Sequence, residues 1–389
     1  MSRVPTLPVP LALAWRNLAA TALQSSADLR QQWDALNAAQ GQLPFLASHA
    51  IVSALTFLGT GQERLLIGSK VNGEKGENGE TGAALNTAGG TVVAMLVLAP
   101  LRWQRWQIFQ PSQLPLGAWV CLPHLPVLAL ARSVMRGPVN GRLGACLTLS
   151  FSPLDPLLTR RPPDAPDSET RDYIDTAWVE TQADFEHYWQ ARGKNLRHNL
   201  RKQRQRLHTE GITLCMQTLR QPEDMAAAVA RYGALESQGW KSQQGTAIHD
   251  QNAQGHFYRA LLEDASQHSE AVVFQLLFDE RVVAMNMGLQ RGSTLVVLKT
   301  TYDESFSHYS PAFLLQETVL REFHGSQAIQ RLEFFGRVMD WHTKWTQQQR
   351  TLYHLTLYRW PWLKQLALAR RRRVANNTAK PVNPAVVQP

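Results

Sequence analysis

Between residues 271 and 335 the chain alternates short apolar runs with turns in a fixed order, and that order narrows the folds open to it. Residues 271–278 read as a strand, Asp279-Glu-Arg281 as a turn, 282–289 as a second strand, Arg291-Gly-Ser293 as another turn and 294–302 as a third strand. Runs of this length joined by such brief turns pair as an antiparallel meander. A loop over 303–310 leads to a helix opening at Pro311, where proline's missing N–H breaks no hydrogen bond, and ending near Gly325. Residues 329–335 read as a further strand. Strand, strand, strand, helix, strand points to a mixed α/β unit.

The rest of the chain sets the frame for that unit. At 389 residues it exceeds the length at which one hydrophobic core usually stops growing, so about two domains are expected. An apolar fraction of 44% with 18% charged residues is globular and excludes a disordered chain. Forty Lys and Arg against 31 Asp and Glu give +9, which favours an anionic partner without choosing among nucleic acid, a membrane surface and a phosphorylated cofactor. Cys121, Cys146 and Cys215 are far apart, odd in number and without CxxC spacing, so neither a disulfide framework nor a zinc site is expected and a reducing cytoplasm fits. The apolar start over 4–15 is interrupted by Pro5, Pro8 and Pro10 and reads as mature protein. The runs 91–101 and 127–131 fall short of the roughly 20 residues a membrane helix needs.

Residues 26–37 look helical and lead into Leu43-Pro44-Phe45, after which apolar segments and turns alternate through Ser152 as a second mixed α/β region. Within it, Gly73-Glu-Lys-Gly-Glu-Asn-Gly-Glu-Thr-Gly82 repeats glycine every third residue. Without proline so short a run cannot hold a triple helix, and 70–90 is expected to be a flexible loop between two strands. The Arg- and Pro-rich stretch 160–171 is the candidate linker. The expected division is therefore 1–165 and 172–365, with a disordered tail over 374–389. Beyond the linker, Trp189, Leu196, Leu200 and Leu207 recur on one face of a helix.

Three features could carry chemistry. Ser310-Pro311-Ala312 is a small-residue turn opening a helix, whose unpaired N–H groups suit an anion such as a pyrophosphate, although any well-terminated helix uses the same residues. Arg192, Lys194, Arg197, Arg201, Lys202, Arg204 and Arg206 form a basic helix without a carboxylate. It reads as a solvated face or as a groove for phosphates or an anionic glycan precursor; nucleic acid is disfavoured because no recognition motif or stacking aromatics accompany the charge. Arg370–Arg373, after Trp360-Pro-Trp362, fits a peripheral helix touching anionic lipid or a solubilising end.

Four segments give the chain a resemblance: Lys194-Asn-Leu-Arg-His-Asn-Leu-Arg-Lys-Gln-Arg-Gln-Arg-Leu207, Glu236-Ser-Gln-Gly-Trp-Lys241, Tyr302-Asp-Glu-Ser-Phe-Ser-His-Tyr-Ser-Pro311 and Glu333-Phe-Phe-Gly-Arg-Val-Met-Asp-Trp-His-Thr-Lys-Trp345. With Trp33, Leu36 and Leu43-Pro-Phe45 they resemble the GNAT acyl-CoA N-acyltransferases, in the branch named for cellulose and exopolysaccharide biosynthesis and related in fold to the Fem-type aminoacyltransferases. The chain departs from that pattern at Ala312, where glycine is usual, at His342, where lysine is usual, and at Glu333, where aspartate is commoner.

The resemblance implies two tandem GNAT-like units, each a mixed, largely antiparallel sheet flanked by helices. It implies acetyl-CoA or another acyl-CoA as co-substrate, a small-molecule or glycan-precursor amine as acceptor, and no metal. Val297, Leu298 and Lys299 would pair with the pantetheine, and Tyr309, Ser310, Pro311, Ala312, Phe313 and Leu314 would face the CoA pyrophosphate. Asp303, His342, Asp340 and Glu333 are the acid/base candidates, each with a structural alternative as a surface carboxylate or hydrogen-bonded histidine. Trp240, Lys241 and Trp341 would line the acceptor side, with core packing as the alternative for the tryptophans. Two rival readings stand beside acyl transfer from CoA: a Fem-type transfer from aminoacyl-tRNA, and a non-catalytic binding module of the same fold. The expected setting is cytoplasmic, with peripheral contact at the inner membrane face.

Overall fold

The computed structural model describes residues 11–70, 86–87, 90–137, 141–181, 184–238, 248–249, 251–326 and 328–378. Most of the glycine-rich loop and residues 379–389 lie outside these. The first half runs β1 (Ala14–Ala19), α1 (Ala22–Ser25), α2 (Ala27–Gln40), α3 (Ser48–Leu58), β2 (Arg64–Lys70), β3 (Asn86–Thr87), β4 (Gly90–Leu101), β5 (Arg105–Ile108), β6 (Trp119–Cys121), α4 (Val127–Arg136) and β7 (Thr148–Leu154). The second runs β8 (Ser168–Glu180), α5 (Phe185–Gln190), α6 (Lys194–Thr209), β9 (Leu214–Leu219), α7 (Pro222–Gln238), α8 (Ala253–Gln267), β10 (Ala271–Phe278), β11 (Arg281–Arg291), β12 (Thr294–Tyr302), α9 (Pro311–Ser326), β13 (Arg331–Glu333), α10 (Asp340–Thr343), β14 (Gln349–Tyr358) and α11 (Pro361–Thr378).

The strands form one sheet in the order β1-β2-β4-β5-β7-β14-β8-β13-β12-β11-β10-β9, with β3 and β6 on β4. Each half repeats one plan. In the first, β4 turns back into β5 and β6, α4 crosses over, and β7 lies parallel to β5 through Arg105↔Thr148, Trp106↔Leu149 and Gln107↔Ser150. In the second, β11 turns back into β12, α9 crosses over, and β13 lies parallel to β12 through Thr294↔Arg331, Leu295↔Leu332 and Val296↔Glu333. The last strand, β14, then returns to pair with β7 of the first half and with β8.

Apolar side chains divide into three cores. One lies between the halves, where Trp33, Phe45 and Ile51 of the first meet Tyr232, Tyr258, Leu261 and Phe335 of the second. The Phe45 and Phe335 rings meet edge to face at 5.1 Å. The other cores lie under α4 and under α5, α6 and α9. Local signals explain the elements: Ser26 caps α2 by accepting the Leu29 N–H at 3.3 Å. β10, buried at every residue, reads as an unbroken apolar run because both its faces are covered.

Several elements differ from the sequence reading. Trp189 belongs to α5, not to the helix carrying Leu196, Leu200 and Leu207, because the chain breaks before α6 at Gly193. The strand expected over 329–335 is only Arg331–Glu333, since it has a partner on the β12 side only through Val296. Residues 374–378, expected in a disordered tail, continue α11.

Candidate functional site

The site begins where two strands part. β13 follows β12 for three residues, to Val296↔Glu333. Across β11 the register then slips, Met287↔Lys299 but Gly288↔Val297, so Leu298 is an extra residue bulged out of β12. A bulge bends its strand, and from Val297 onward β12 is paired with β11 on one side while no described strand lies on the other. Gly288 is needed at this crossing: a Cβ there would lie 2.8 Å from the Val296 carbonyl oxygen.

A cavity of about 610 Å³ occupies the opening. Its floor is β12 from Val297 to Tyr302 with Asn286 of β11, and one wall is Ala312, Phe313 and Gln316 of α9. The opposite wall comes from Phe334 to Trp345, and Leu235 and Glu236 of α7 close one end. The wall is aromatic: Trp341 stacks on His342 at 3.6 Å, Phe334 meets both edge-on at 5.4 and 4.8 Å, and Phe313 stacks on Trp345 at 5.9 Å. Trp345 is fixed through its carbonyl, which accepts from Tyr188 Oη at 2.7 Å and Arg192 at 2.5 Å.

Four polar side chains in this lining are almost wholly buried: Glu236, Asn286, Gln316 and His342. The Met339 N–H donates to His342 Nδ1 at 2.9 Å, which leaves the imidazole proton on Nε2. Burial lowers the pKa of His342 to about 4, so the ring is neutral near pH 7 and acts as a hydrogen-bond donor. Glu236 accepts the Ile248 N–H at 2.8 Å. Burial and then the Glu236 charge push the Tyr232 and Tyr258 hydroxyls above their ordinary value, so both remain protonated beside it. Gln316 Nε2 has no hydrogen-bond partner among the described residues.

The sequence candidates separate on this geometry. Val297, Leu298, Lys299, Ala312, Phe313, Trp341 and His342 meet at the cavity. Asp303 does not: it caps the turn Glu304–Tyr309, accepting from Ser305 N and Oγ at 3.0 and 2.6 Å and from Arg281 at 2.7 Å. Burial alone would raise its pKa, but the Ser305 and Arg281 contacts outweigh it and hold the carboxyl below the usual range. Asp340 is exposed at the first position of α10, outside the lining. Glu333 is buried in an ion network, accepting from Arg331 at 2.6 Å and Arg350 at 2.9 Å, while Arg350 also clasps Asp155 at 2.7 to 2.9 Å. Burial raises its carboxyl despite both arginines.

Around the helix start, Ser310 is left-handed (φ 56°, ψ 50°) and its Oγ accepts from Asn199 of α6 at 3.4 Å. Tyr309 turns away and donates to Glu210, and Pro311 and Leu314 are buried in the helix base. Lys344 Nζ sits 5.2 Å from the Phe313 ring. Trp240 and Lys241 lie outside the described residues. The sequence reading did not single out Glu236, Asn286 or Gln316 as site residues. Glu236 stood inside a quoted segment, but nothing in its spacing marks a buried carboxylate.

The matching point of the first half is occupied by a loop. After β5 parts from β7, the loop 109–118 runs against both strands, a Cβ on Gly117 falling 2.6 Å from Ile108 Cγ2 and 3.2 Å from the Ser152 carbonyl oxygen, and its Phe109, Leu114, Leu116 and Ala118 are buried. Cys121 and Cys146 are buried in the separate core under α4, with thiol pKa values pushed up to about 12 by that burial.

Comparison with known proteins gives a match in the second half. Residues 194–343 match the acetyltransferase (GNAT) domain family. A conserved protein of unknown function from Bacteroides thetaiotaomicron superposes with a TM-score of 0.50 at 8% identity, covering 85% of this chain and 97% of that one, and shares the fold. A tandem GNAT protein from the clavulanic acid biosynthesis pathway has a TM-score of 0.45 at 11% identity, covering 88% and 98%. FemX has a TM-score of 0.45 at 9% identity, covering 73% and 89%. No curated protein matches the chain. The matched stretch lies in the second half and includes the strand, helix and aromatic wall that form the cavity.

Proposed function

We propose that the protein transfers an acyl group from an acyl-CoA thioester directly to an amine, using the cavity of the second unit. The observation that carries this reading is the side of β12 along which, among the described residues, no strand lies from Val297 onward, beside the first turn of α9. The amide groups of a pantetheine arm can pair with such a strand side as another strand would. A pyrophosphate suits the N-terminus of α9, where Ala312 keeps the approach narrow in side-chain bulk and Lys344 and Asn199 lie close.

In this reading the amine nitrogen attacks the thioester carbonyl carbon. His342 donates its Nε2–H to the oxygen that gains negative charge, and Glu236 accepts the proton released by the amine. The C–S bond then breaks and the thiolate leaves with the electron pair. The high thiol pKa values of Cys121 and Cys146 weigh against either as an acyl-carrying nucleophile. Of the four acid/base candidates, His342 is retained as a donor, and Glu236 takes the role first assigned among Asp303, Asp340 and Glu333. The flat faces of Trp341 and Phe334 support an amino sugar or glycan precursor as the acceptor, consistent with a place in exopolysaccharide formation. A CoA donor supports a cytoplasmic setting.

Calorimetric titration with acetyl-CoA and longer acyl-CoAs tests the proposal. The wild type is expected to bind saturably; Ala312→Trp, which fills the helix start, is expected to lose binding at least about tenfold. Glu236→Gln is expected to bind normally and lose about 10²–10⁴ in turnover of an amine acceptor. A folded wild type that ignores millimolar acyl-CoA overturns the reading. It would favour aminoacyl-tRNA as donor, for which the basic surface of α6 formed by His198, Arg201, Lys202 and Arg206 is the supporting feature.

A further inference from the structure

The end of the sheet where β5 and β7 begin and β14 finishes carries a surface that acyl transfer does not use. Leu147 N donates to the Gln104 carbonyl at 2.8 Å, and Arg359 N donates to the Leu147 carbonyl at 2.9 Å. Two segments distant in sequence are thereby set side by side: the β4–β5 turn, Leu101-Arg-Trp-Gln-Arg105, and the start of α11, Arg359-Trp-Pro-Trp362.

Both segments hold large apolar side chains in solvent. Trp103 is 83% exposed, Trp360 44% and Trp362 55%, with Leu366 at 59%. Trp360 and Trp362 stack at 5.7 Å with their rings nearly parallel, at 9°. Trp103 and Gln104 both have positive φ, 65° and 55°, a conformation that Asn-Gly adopts far more cheaply. A tryptophan held out by so unfavourable a turn has no packing role there to account for it.

The helix α11 has two unlike faces. Its inner face is pinned: Lys364 Nζ donates to the Ser168 and Ala165 carbonyls at 2.6 and 2.8 Å, and Arg371 clasps Glu169. Seven residues separate Lys364 from Arg371, two helical turns, so one stripe faces the sheet. Trp362, Leu366, Ala369, Arg370 and Arg373 fall on the opposite stripe and are exposed. Arg102 and Arg105 are exposed on the neighbouring turn, and neither segment, 101–105 or 359–373, contains a carboxylate.

The geometry points to a membrane-docking surface: the β4–β5 turn and the outer face of α11 together seat on an anionic bilayer. Tryptophans partition to the headgroup level while arginines meet lipid phosphates, and the two kinds of side chain alternate here over one continuous surface. Among the described residues no helix is long and apolar enough to cross a membrane, so the contact is interfacial. None of these residues lines the cavity beside β12.

Sedimentation of the full chain with phosphatidylcholine vesicles, and with vesicles of phosphatidylcholine mixed with phosphatidylglycerol, tests this. Binding is expected to the mixed vesicles, weakly to phosphatidylcholine alone, and to fall with added salt. Neutralising Arg370, Arg372 and Arg373 to Gln is expected to lower the partition coefficient on the order of a hundredfold. Trp103→Asn is expected to weaken binding and raise Tm, because the new residue suits the turn; that combination separates docking from damage. Wild-type protein left in solution with mixed vesicles overturns the proposal. So does a concentration-dependent dimer, dissolved by Trp362→Ser, in protein that ignores vesicles, since the surface would then bind a second copy.

Discussion

At the scale of single residues, the cavity is set by side chains whose chemistry depends on burial. His342 is the clearest. Its pKa of about 4 in the folded chain lies below the ordinary 6.5, so on unfolding within that window it takes up a proton. Stability contributed by the neutral ring is therefore present above pH ~6.5 and lost as pH falls toward ~4. Replacing it by His342→Asn, which keeps an acceptor for the Met339 N–H, is expected to flatten this acid-side loss by about 2 kcal/mol after solvent screening. Urea unfolding across the window measures it, and an unchanged slope would mean that the ring is not held neutral. The sequence made His342 visible as a titratable group near a motif. It could not distinguish His342 from Asp303 or Asp340, because which carboxylate caps a turn, which meets solvent and which faces a cavity is decided by contacts between distant segments. Glu236, whose burial depends on Tyr232, Tyr258 and Ile248, was missed for the same reason.

Among elements, the parting of β12 from β13 depends on one bulge. Gly288 allows the Val296 carbonyl to approach where any side chain would collide with backbone. Gly288→Ala is expected to destabilise the protein by about 1–3 kcal/mol and to weaken acyl-CoA binding by closing or tilting the opening. Thermal unfolding together with titration checks both effects, and a destabilised variant with unaltered affinity would show that the bulge does not shape the site. The meander and its following helix were legible because turns and apolar periods are local signals. The occupied gap of the first half is not, since 109–118 reads only as a loop until its Phe109 and Leu116 are seen buried in the core between the halves. The strand β14 escaped notice too, although Tyr353, Leu355 and Leu357 alternate in it, because nothing local shows that its partners lie in the other half.

Considered whole, the molecule is held together by the interleaving of β14 and β8 and by the Asp155–Arg350–Glu333 network beneath them. Arg350 sits between two buried carboxylates from different halves and stays charged, its pKa raised by them against the opposing effect of burial. Arg350→Met leaves both carboxylates without that partner, and a loss of about 3–5 kcal/mol is expected. Calorimetry of the wild type is expected to show one transition, not a separate melting of each half, and the variant should lower that single transition. Two resolved transitions would contradict the shared core and sheet. The same interleaving has a consequence during synthesis. The edge of β7 is made roughly 200 residues before β14 leaves the ribosome, an interval of about 10–40 s at ordinary elongation rates. Throughout it, the nascent first half offers an unpaired strand edge that another chain could join. The order of translation thus makes the first half depend on the last strand made, and a message cut short before residue 349 leaves an incomplete sheet even where all of residues 1–165 have been translated.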